Sequence, residues 1–171
     1  GLVVYHFAAA AFDGWKEFEQ MAAGNWRPNN GHHSAPHNYT VDVVDQEHPI
    51  TKGLKLHLPQ TNDELYANLR WQPAGTYHVL ATATDDHALY SSTTAPYTRT
   101  DARAPQPLVG ASADEPMLWT VDFGKGRVFT TALGHDVEQI QTPTFITTFT
   151  RGVEWAATGA VTLPIPAALA K

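Results

Sequence analysis

Two histidines, His6 and His135, each close an apolar run, the first after GLVVY and the second after RVFTTALG. Apolar runs of this length read as buried strands, and the carboxyl ends of strands are where a rigid sheet holds a reactive side chain against an adaptable loop. If the two strands run parallel in one sheet, both imidazoles leave it at one edge and can share a ligand. Three further histidines, His32, His33 and His37, fall within one loop. Neutral imidazole is a common ligand for transition metals, so His33 and His37 are the candidate metal ligands and a divalent ion such as zinc the candidate cofactor. Their spacing matches no established zinc signature, and a simple polar turn explains the loop equally well. Among the acids, Glu64 is the candidate acid/base group, because it stands just before an aromatic strand residue, Tyr66, where a polar side chain needs a reason. Asp63, Asp136 and Trp26 are candidate substrate contacts: the carboxylates by hydrogen bonding, the indole by stacking on a sugar ring, although packing of the indole against its loop explains it equally well. Paired acids at element ends also serve as caps and turn formers, so Asp63, Asp85, Asp86 and Asp136 carry that reading too.

Positioning these groups requires strands that end in the right place. GLVVY is apolar throughout, as in a strand flanked on both sides by others. The stretch EPMLWTVDFGKGRVFTTALGHD reads as a hairpin reversing at Phe123-Gly124-Lys125-Gly126, with its second strand from Arg127 to Leu133. Further strands are expected at Tyr39 to Val44, near Tyr66 to Leu69 and at Tyr77 to Ala83. A helix from Asp13 to Ala23 would be capped by Asp13 and stopped by Gly24, and Glu47 to Gly53 would form a short helical turn. A second helix, Pro143 to Ala157, carries an apolar face of Phe145, Phe149, Val153, Trp155 and Ala156, with Gly159 ending it. Asn25 to Asn38 is a long polar loop, His87 to Ala113 an irregular excursion without periodicity, and VTLPIPAAL an arm laid over the body. The Gly124-Lys125-Gly126 turn is not a phosphate loop, since it joins two strands with no helix following.

The chain has 171 residues, 43% of them hydrophobic, and is read as one domain, 1–171. A net charge of -6 with 11 scattered Lys and Arg argues against a nucleic-acid partner. No apolar run reaches the length of a membrane span, so no membrane partner is expected. The absence of cysteine excludes thiolate nucleophiles, disulfides and Cys-ligated zinc within the chain. The compartment stays open between bacterial cytoplasm and periplasm or secretion. Because the opening strand is apolar on both faces, the expectation is an N-terminally incomplete sheet, with a homo-oligomer or a complementary N-terminal fragment as the alternative cover.

In their order, the stretches GLVVYH, FDGWKEFEQMAAGNW, TVDVVDQEHPITKGL, DELY, HVLATATDD, EPMLWTVDFGKGRVFTTALGHD and FTRGVEWAATGAVTLPIP cover nearly the whole chain. They resemble the trehalose-utilisation (ThuA-like) family, whose members look like class I glutamine amidotransferases in fold. The resemblance implies an α/β three-layer sandwich, flavodoxin-like, of which this chain is the C-terminal two-thirds. It also implies a small-molecule sugar as partner: trehalose-type disaccharides or their 3-keto derivatives. The family does not keep the amidotransferase cysteine, which excludes a thiol-dependent amidotransferase. His6, the histidines of the Gly31 to His37 loop, Asp63, Glu64 and His135 match the family's motif positions. Two functions are compatible with this pattern. One is a keto-sugar isomerase, lyase or hydrolase with His6, Glu64 and His135 as catalytic residues in a His-rich, metal-assisted site. The other is a non-catalytic carbohydrate-binding or sensing domain.

Overall fold

The computed structural model describes residues 1–90 and 112–171, and these described residues run through thirteen strands and α-helices. They are β1 (Leu2–Tyr5), α1 (Lys16–Ala22), β2 (Gly24–Asn25), β3 (His32–His33), β4 (His37–Val43), β5 (His57–Asp63), β6 (Tyr66–Ala67), β7 (Arg70–Trp71), β8 (His78–Asp85), β9 (Ala113–Phe123), β10 (Gly126–Thr131), α2 (Val137–Ile140) and α3 (Pro143–Thr158). Six strands make one sheet in the order β1-β10-β9-β8-β4-β5, and β2-β7 and β3-β6 form two small ribbons. β1 pairs with β10 in parallel, Tyr5 opposite Thr131, and the other neighbours in the large sheet are antiparallel.

Counting directions across that order, β1, β10, β8 and β5 all point the same way. Their carboxyl ends therefore share one edge, and the residues following them include His6, His135 and Glu64. In a flat sheet β5 and β10 would stand about 19 Å apart, four spacings of roughly 4.8 Å. Yet Asp63, at the end of β5, accepts a hydrogen bond of 2.7 Å from the Gly134 amide just past β10. The sheet must curl, and the curl brings Glu64 beside the two strand-end histidines.

Side-chain alternation places the helices. Trp119 of β9 donates its indole N–H to the Ala22 carbonyl at the end of α1, at 2.8 Å, so that face of the sheet carries α1. On the opposite face Phe129 of β10 lies under α3, where Gly152 leaves room for its ring. α3 also reaches across the concave side to β5, Thr144 Oγ1 donating to the Pro59 carbonyl at 2.6 Å. Helix, curled sheet and helix make three layers, the α/β sandwich expected. The core between them contains fully buried Leu58, Leu65, Leu80, Met117, Leu118, Trp119, Phe129 and Leu133.

Several local expectations need correction. α1 begins at Lys16, with Trp15 at its N-cap and no side-chain cap; Asp13 instead pairs with Arg27 Nε at 3.1 Å. Ala23, at φ 59, ends the helix, and Gly24 opens β2, where a Cβ would come within 2.7 Å of the Trp71 ring. Glu47 to Gly53 does make the short turn expected, with the Lys52 amide donating to the His48 carbonyl at 2.8 Å and Gly53 at φ 86 closing it. The polar Asn25 to Asn38 stretch is stitched into both ribbons through β2 and β3. The strand expected near Tyr66 to Leu69 is shorter, because Asn68, at φ 54, ends β6 at Ala67, and β7 starts only at Arg70. β5 was not anticipated, since Pro59 interrupts its pattern; as the outermost strand of the sheet beside β4, it tolerates the missing N–H. The irregular excursion expected over His87 to Ala113 falls mostly on 91–111, outside the described residues. α3 matches expectation closely, with Thr142 accepting from Phe145 N at 3.2 Å and Gly159 at φ 84 ending it, although Val153 is exposed. The arm after it bridges back at Ala170 to Leu54.

Candidate functional site

Glu64 lies at the centre of the shared edge, buried, with its carboxylate facing three imidazoles. Oε1 is 3.1 Å from His33 Nδ1, and Oε2 is 3.0 Å from His135 Nδ1 and 3.8 Å from His6 Nε2. These groups line a cleft of about 440 Å³ together with Phe7, Trp26 and Tyr66. That volume is in the range of small-ligand sites, and its mix of rings with convergent polar atoms is the usual composition of one.

The strand geometry explains each placement. His6 follows β1 with φ 47, a left-handed conformation that is strained for a residue with a Cβ and costs about 1–3 kcal/mol. This turn carries the imidazole out of strand alternation and into the cleft, where it is buried and lies 4.3 Å from the Tyr66 ring. His135 sits beyond Gly134, whose φ of 91 lets the chain leave β10 sharply, and its side chain stays half exposed. The Tyr5 hydroxyl donates to the Gly134 carbonyl, holding the same bend from β1. His33 enters from β3, paired to Tyr66 of β6, and also bonds the Ser34 carbonyl at 2.9 Å. Trp26 closes the side wall, its ring 5.0 Å from Tyr66, 5.9 Å from His33 and 5.7 Å from the exposed ring of Phe7.

Asp63, expected to touch substrate, is fully buried and does something else. Its Oδ1 accepts from the amides of Glu64 at 2.9 Å and His135 at 3.0 Å; its Oδ2 accepts from the Gly134 amide and Gln60 Nε2, both at 2.7 Å. One carboxylate thus ties the end of β5 to the end of β10 and fixes Glu64 relative to His135. Asp136, the other expected substrate contact, is the exposed N-cap of α2, accepting from Val137 N at 2.6 Å, and does not line the cleft. His37 is likewise outside the lining: its Nδ1 bonds Ser34 Oγ at 3.1 Å and the Ala35 carbonyl at 3.0 Å, at the start of β4. His37 and His33 therefore do not converge on one ion. His6, Glu64, His135, His33 and Trp26 do converge. Tyr66 and Phe7 were missed as site residues; the adjacency of Tyr66 to Glu64 in DELY was the available signal for the first, and Phe7 had none beyond following His6.

Electrostatics separate the two buried groups. Burial pushes the Glu64 carboxyl up to about 7, and the negative charge of Asp63 adds to the effect. Burial also pushes the His6 imidazole down to about 3, with His135 and His33 opposing its protonation further. His33 is lowered by burial as well, against the opposing pull of the Ser34 carbonyl. Near neutral pH the centre holds a neutral His6 beside a carboxyl poised to gain or lose a proton.

The donor set also suits a divalent cation. One atom each from His6, Glu64 and His135 lie within 4.8 Å of one another, and His6 Nε2 is a buried nitrogen with no hydrogen-bond partner among the described residues. Ligand atoms around a tetrahedral zinc stand about 3.3 Å apart, and the separations of 3.0 and 3.8 Å from Glu64 Oε2 bracket that value.

Comparison with known proteins agrees with this architecture. A family model described as ThuA, trehalose utilisation, matches residues 1–156. No curated protein matches the chain. The solved structure of a ThuA-like protein from Parabacteroides merdae ATCC 43184 is 29% identical with a TM-score of 0.81, over 100% of this chain and 65% of that one. A ThuA-like protein from Bacteroides uniformis ATCC 8492 is similar in fold, at 20% identity and a TM-score of 0.62, over 94% of this chain and 61% of that one. The chain thus spans just under two-thirds of the length of both structures.

Proposed function

Because the chain belongs to the ThuA family of trehalose utilisation, we propose that its cleft acts on a trehalose-type disaccharide or the 3-keto derivative of one, and on the keto form by proton transfer at the carbon or hydroxyl beside the carbonyl. The observation that carries this reading is Glu64: a buried carboxyl held up to about 7, faced by His33, His135 and His6 at the mouth of a ring-lined cleft. Isomerising or cleaving a keto-sugar needs a group that takes a proton from a carbon next to a carbonyl and returns it elsewhere. General acid/base groups do this best when their pKa lies near the working pH, as that of Glu64 does. His135, half exposed and 3.0 Å from Oε2, is placed to pass that proton to or from a sugar hydroxyl. Trp26 and Phe7 offer ring faces for the apolar C–H side of a pyranose, which orients the ring over Glu64.

Metal assistance fits the same residues. His6 Nε2, Glu64 Oε2 and His135 Nδ1 would hold a divalent ion such as zinc, with His33 beside them. Such an ion would polarise a bound carbonyl oxygen. Asp63 and Tyr66 position the set and do not join it.

The test is metal analysis of the purified chain together with turnover of 3-keto-trehalose, for the wild type and for His33→Ala and His135→Ala. Lower metal content in His135→Ala, with slower turnover in both variants, is the expected result. Unchanged metal content and unchanged turnover in both would remove the reading. Recovery of a tightly bound sugar intact, with every divalent ion tried, would identify the cleft as a binding or sensing site instead.

A further inference from the structure

We infer that Tyr66 is a positioning residue that sets the tautomer of His6, directing the lone pair of Nε2 into the cleft. The inference rests on the cleft being the reacting site proposed above, and it concerns a residue that contributes no charge of its own.

The Tyr66 hydroxyl lies 3.0 Å from His6 Nδ1, and both side chains are buried. A neutral imidazole carries one N–H, so the hydrogen bond at Nδ1 decides what Nε2 presents. If the tyrosine hydroxyl donated to Nδ1, Nε2 would carry the proton. That N–H would face Glu64 Oε2, and a charge-assisted N–H···O contact closes to about 2.7–2.9 Å. Nothing in the fold keeps a ring nitrogen from reaching that oxygen, since His135 Nδ1 stands 3.0 Å from it. Yet His6 Nε2 stands 3.8 Å away and has no hydrogen-bond partner among the described residues. Two lone pairs keep this distance, whereas a donor and an acceptor would not. The proton therefore lies on Nδ1, donated to the tyrosine oxygen, and Nε2 faces the cleft as an acceptor. This is also the arrangement a metal-bound histidine requires, with its outer nitrogen hydrogen-bonded to a neighbouring group.

The backbone supports the assignment. His6 is held at φ 47, and strain of this kind persists only where the surroundings over-determine it. The Tyr66 ring, packed 4.3 Å from the imidazole, and its hydroxyl at Nδ1 together fix the rotation of the ring. Tyr66 is in turn tied to the site through β6, which pairs with His33 in β3.

The experiment is long-range proton–nitrogen correlation NMR on the full chain labelled with nitrogen-15, in the wild type and in Tyr66→Phe. A protonated Nδ1 and an unprotonated Nε2 are expected for wild-type His6, and Tyr66→Phe, which removes only the hydroxyl, should shift the balance toward a protonated Nε2. Zinc affinity by calorimetry should fall about 10- to 100-fold in the same variant, as for other outer partners of metal ligands. A wild-type His6 protonated at Nε2 overturns the inference, and this measurement needs no variant to fold. An unchanged tautomer in a folded Tyr66→Phe overturns it as well. If the wild type shows the expected tautomer but binds no zinc, the metal part of the proposed function fails and the role of Tyr66 stands.

Discussion

Asp63→Asn is the most informative single substitution, because it keeps the shape of a buried side chain and reverses part of its hydrogen bonding. Asp63 accepts from four donors, two on each oxygen. An asparagine has one acceptor oxygen, so its NH2 must face either the Glu64 and His135 amides or the Gly134 amide and Gln60. The second orientation is the cheaper, since the Gln60 amide can turn over, but its Oε1 then abandons Thr142 Oγ1, which it now holds at 3.0 Å. In that orientation the Gly134 amide loses its charged acceptor outright, at about 1.5–3 kcal/mol, and the contacts that remain become neutral ones, so the substitution should cost about 2–4 kcal/mol. Against a typical total of about 5–15 kcal/mol, this is a large fraction of the stability of a domain. Urea unfolding of the variant measures it directly. Removing the charge also takes away one of the two causes that raise Glu64, so its pKa should move from about 7 toward the ordinary 4.5, read by carboxyl carbon NMR. A loss of stability below about 1 kcal/mol would refute the claim that this carboxylate ties β5 to β10.

The buried pair should leave opposite marks on the pH dependence of stability. Glu64, raised in the folded state, contributes stability that is present below about 4.5 and lost as pH rises to about 7; Glu64→Gln should flatten the curve in that window, and an unaltered slope would count against the raised value. His6, lowered to about 3, contributes stability that is present above 6.5 and lost as pH falls toward 3, so His6→Gln should protect the fold on acidification, checked by thermal melts across that range. Gly134→Ala places a Cβ at φ 91 and 2.5 Å from the Phe145 ring, for a loss of about 2–4 kcal/mol. Gly75→Ala, at φ 89 with nothing within 4 Å, should lose only about 1 kcal/mol, and equal losses in denaturant unfolding would show that the Phe145 contact does not matter.

The amino-acid sequence by itself determined the parts of this protein whose signal is local. The hairpin around Gly124-Lys125 and the helix from Pro143 follow from turn glycines, a proline in the first helical turn and apolar periodicity, all decided within a few residues of chain. His6 and His135 were readable for the same reason, since each ends an apolar strand, and parallel pairing at one edge was the natural consequence. The family motifs extended this reading to the layered α/β fold. What sequence pattern did not reveal depends on contacts between distant residues. β5 was hidden because its proline is tolerated only on an outer strand, and strand order is a property of the assembled sheet. The sorting of the acids was hidden likewise: Asp63 and Glu64 are neighbours of nearly equal chemistry, and alternate pointing sends one into a web of amides and the other into the cleft. His33 and His37, four residues apart in one polar segment, diverge because β3 and β4 pair with different strands. Only the curl of the sheet, which closes a gap of about 19 Å between β5 and β10, made Glu64, His6 and His135 into one centre.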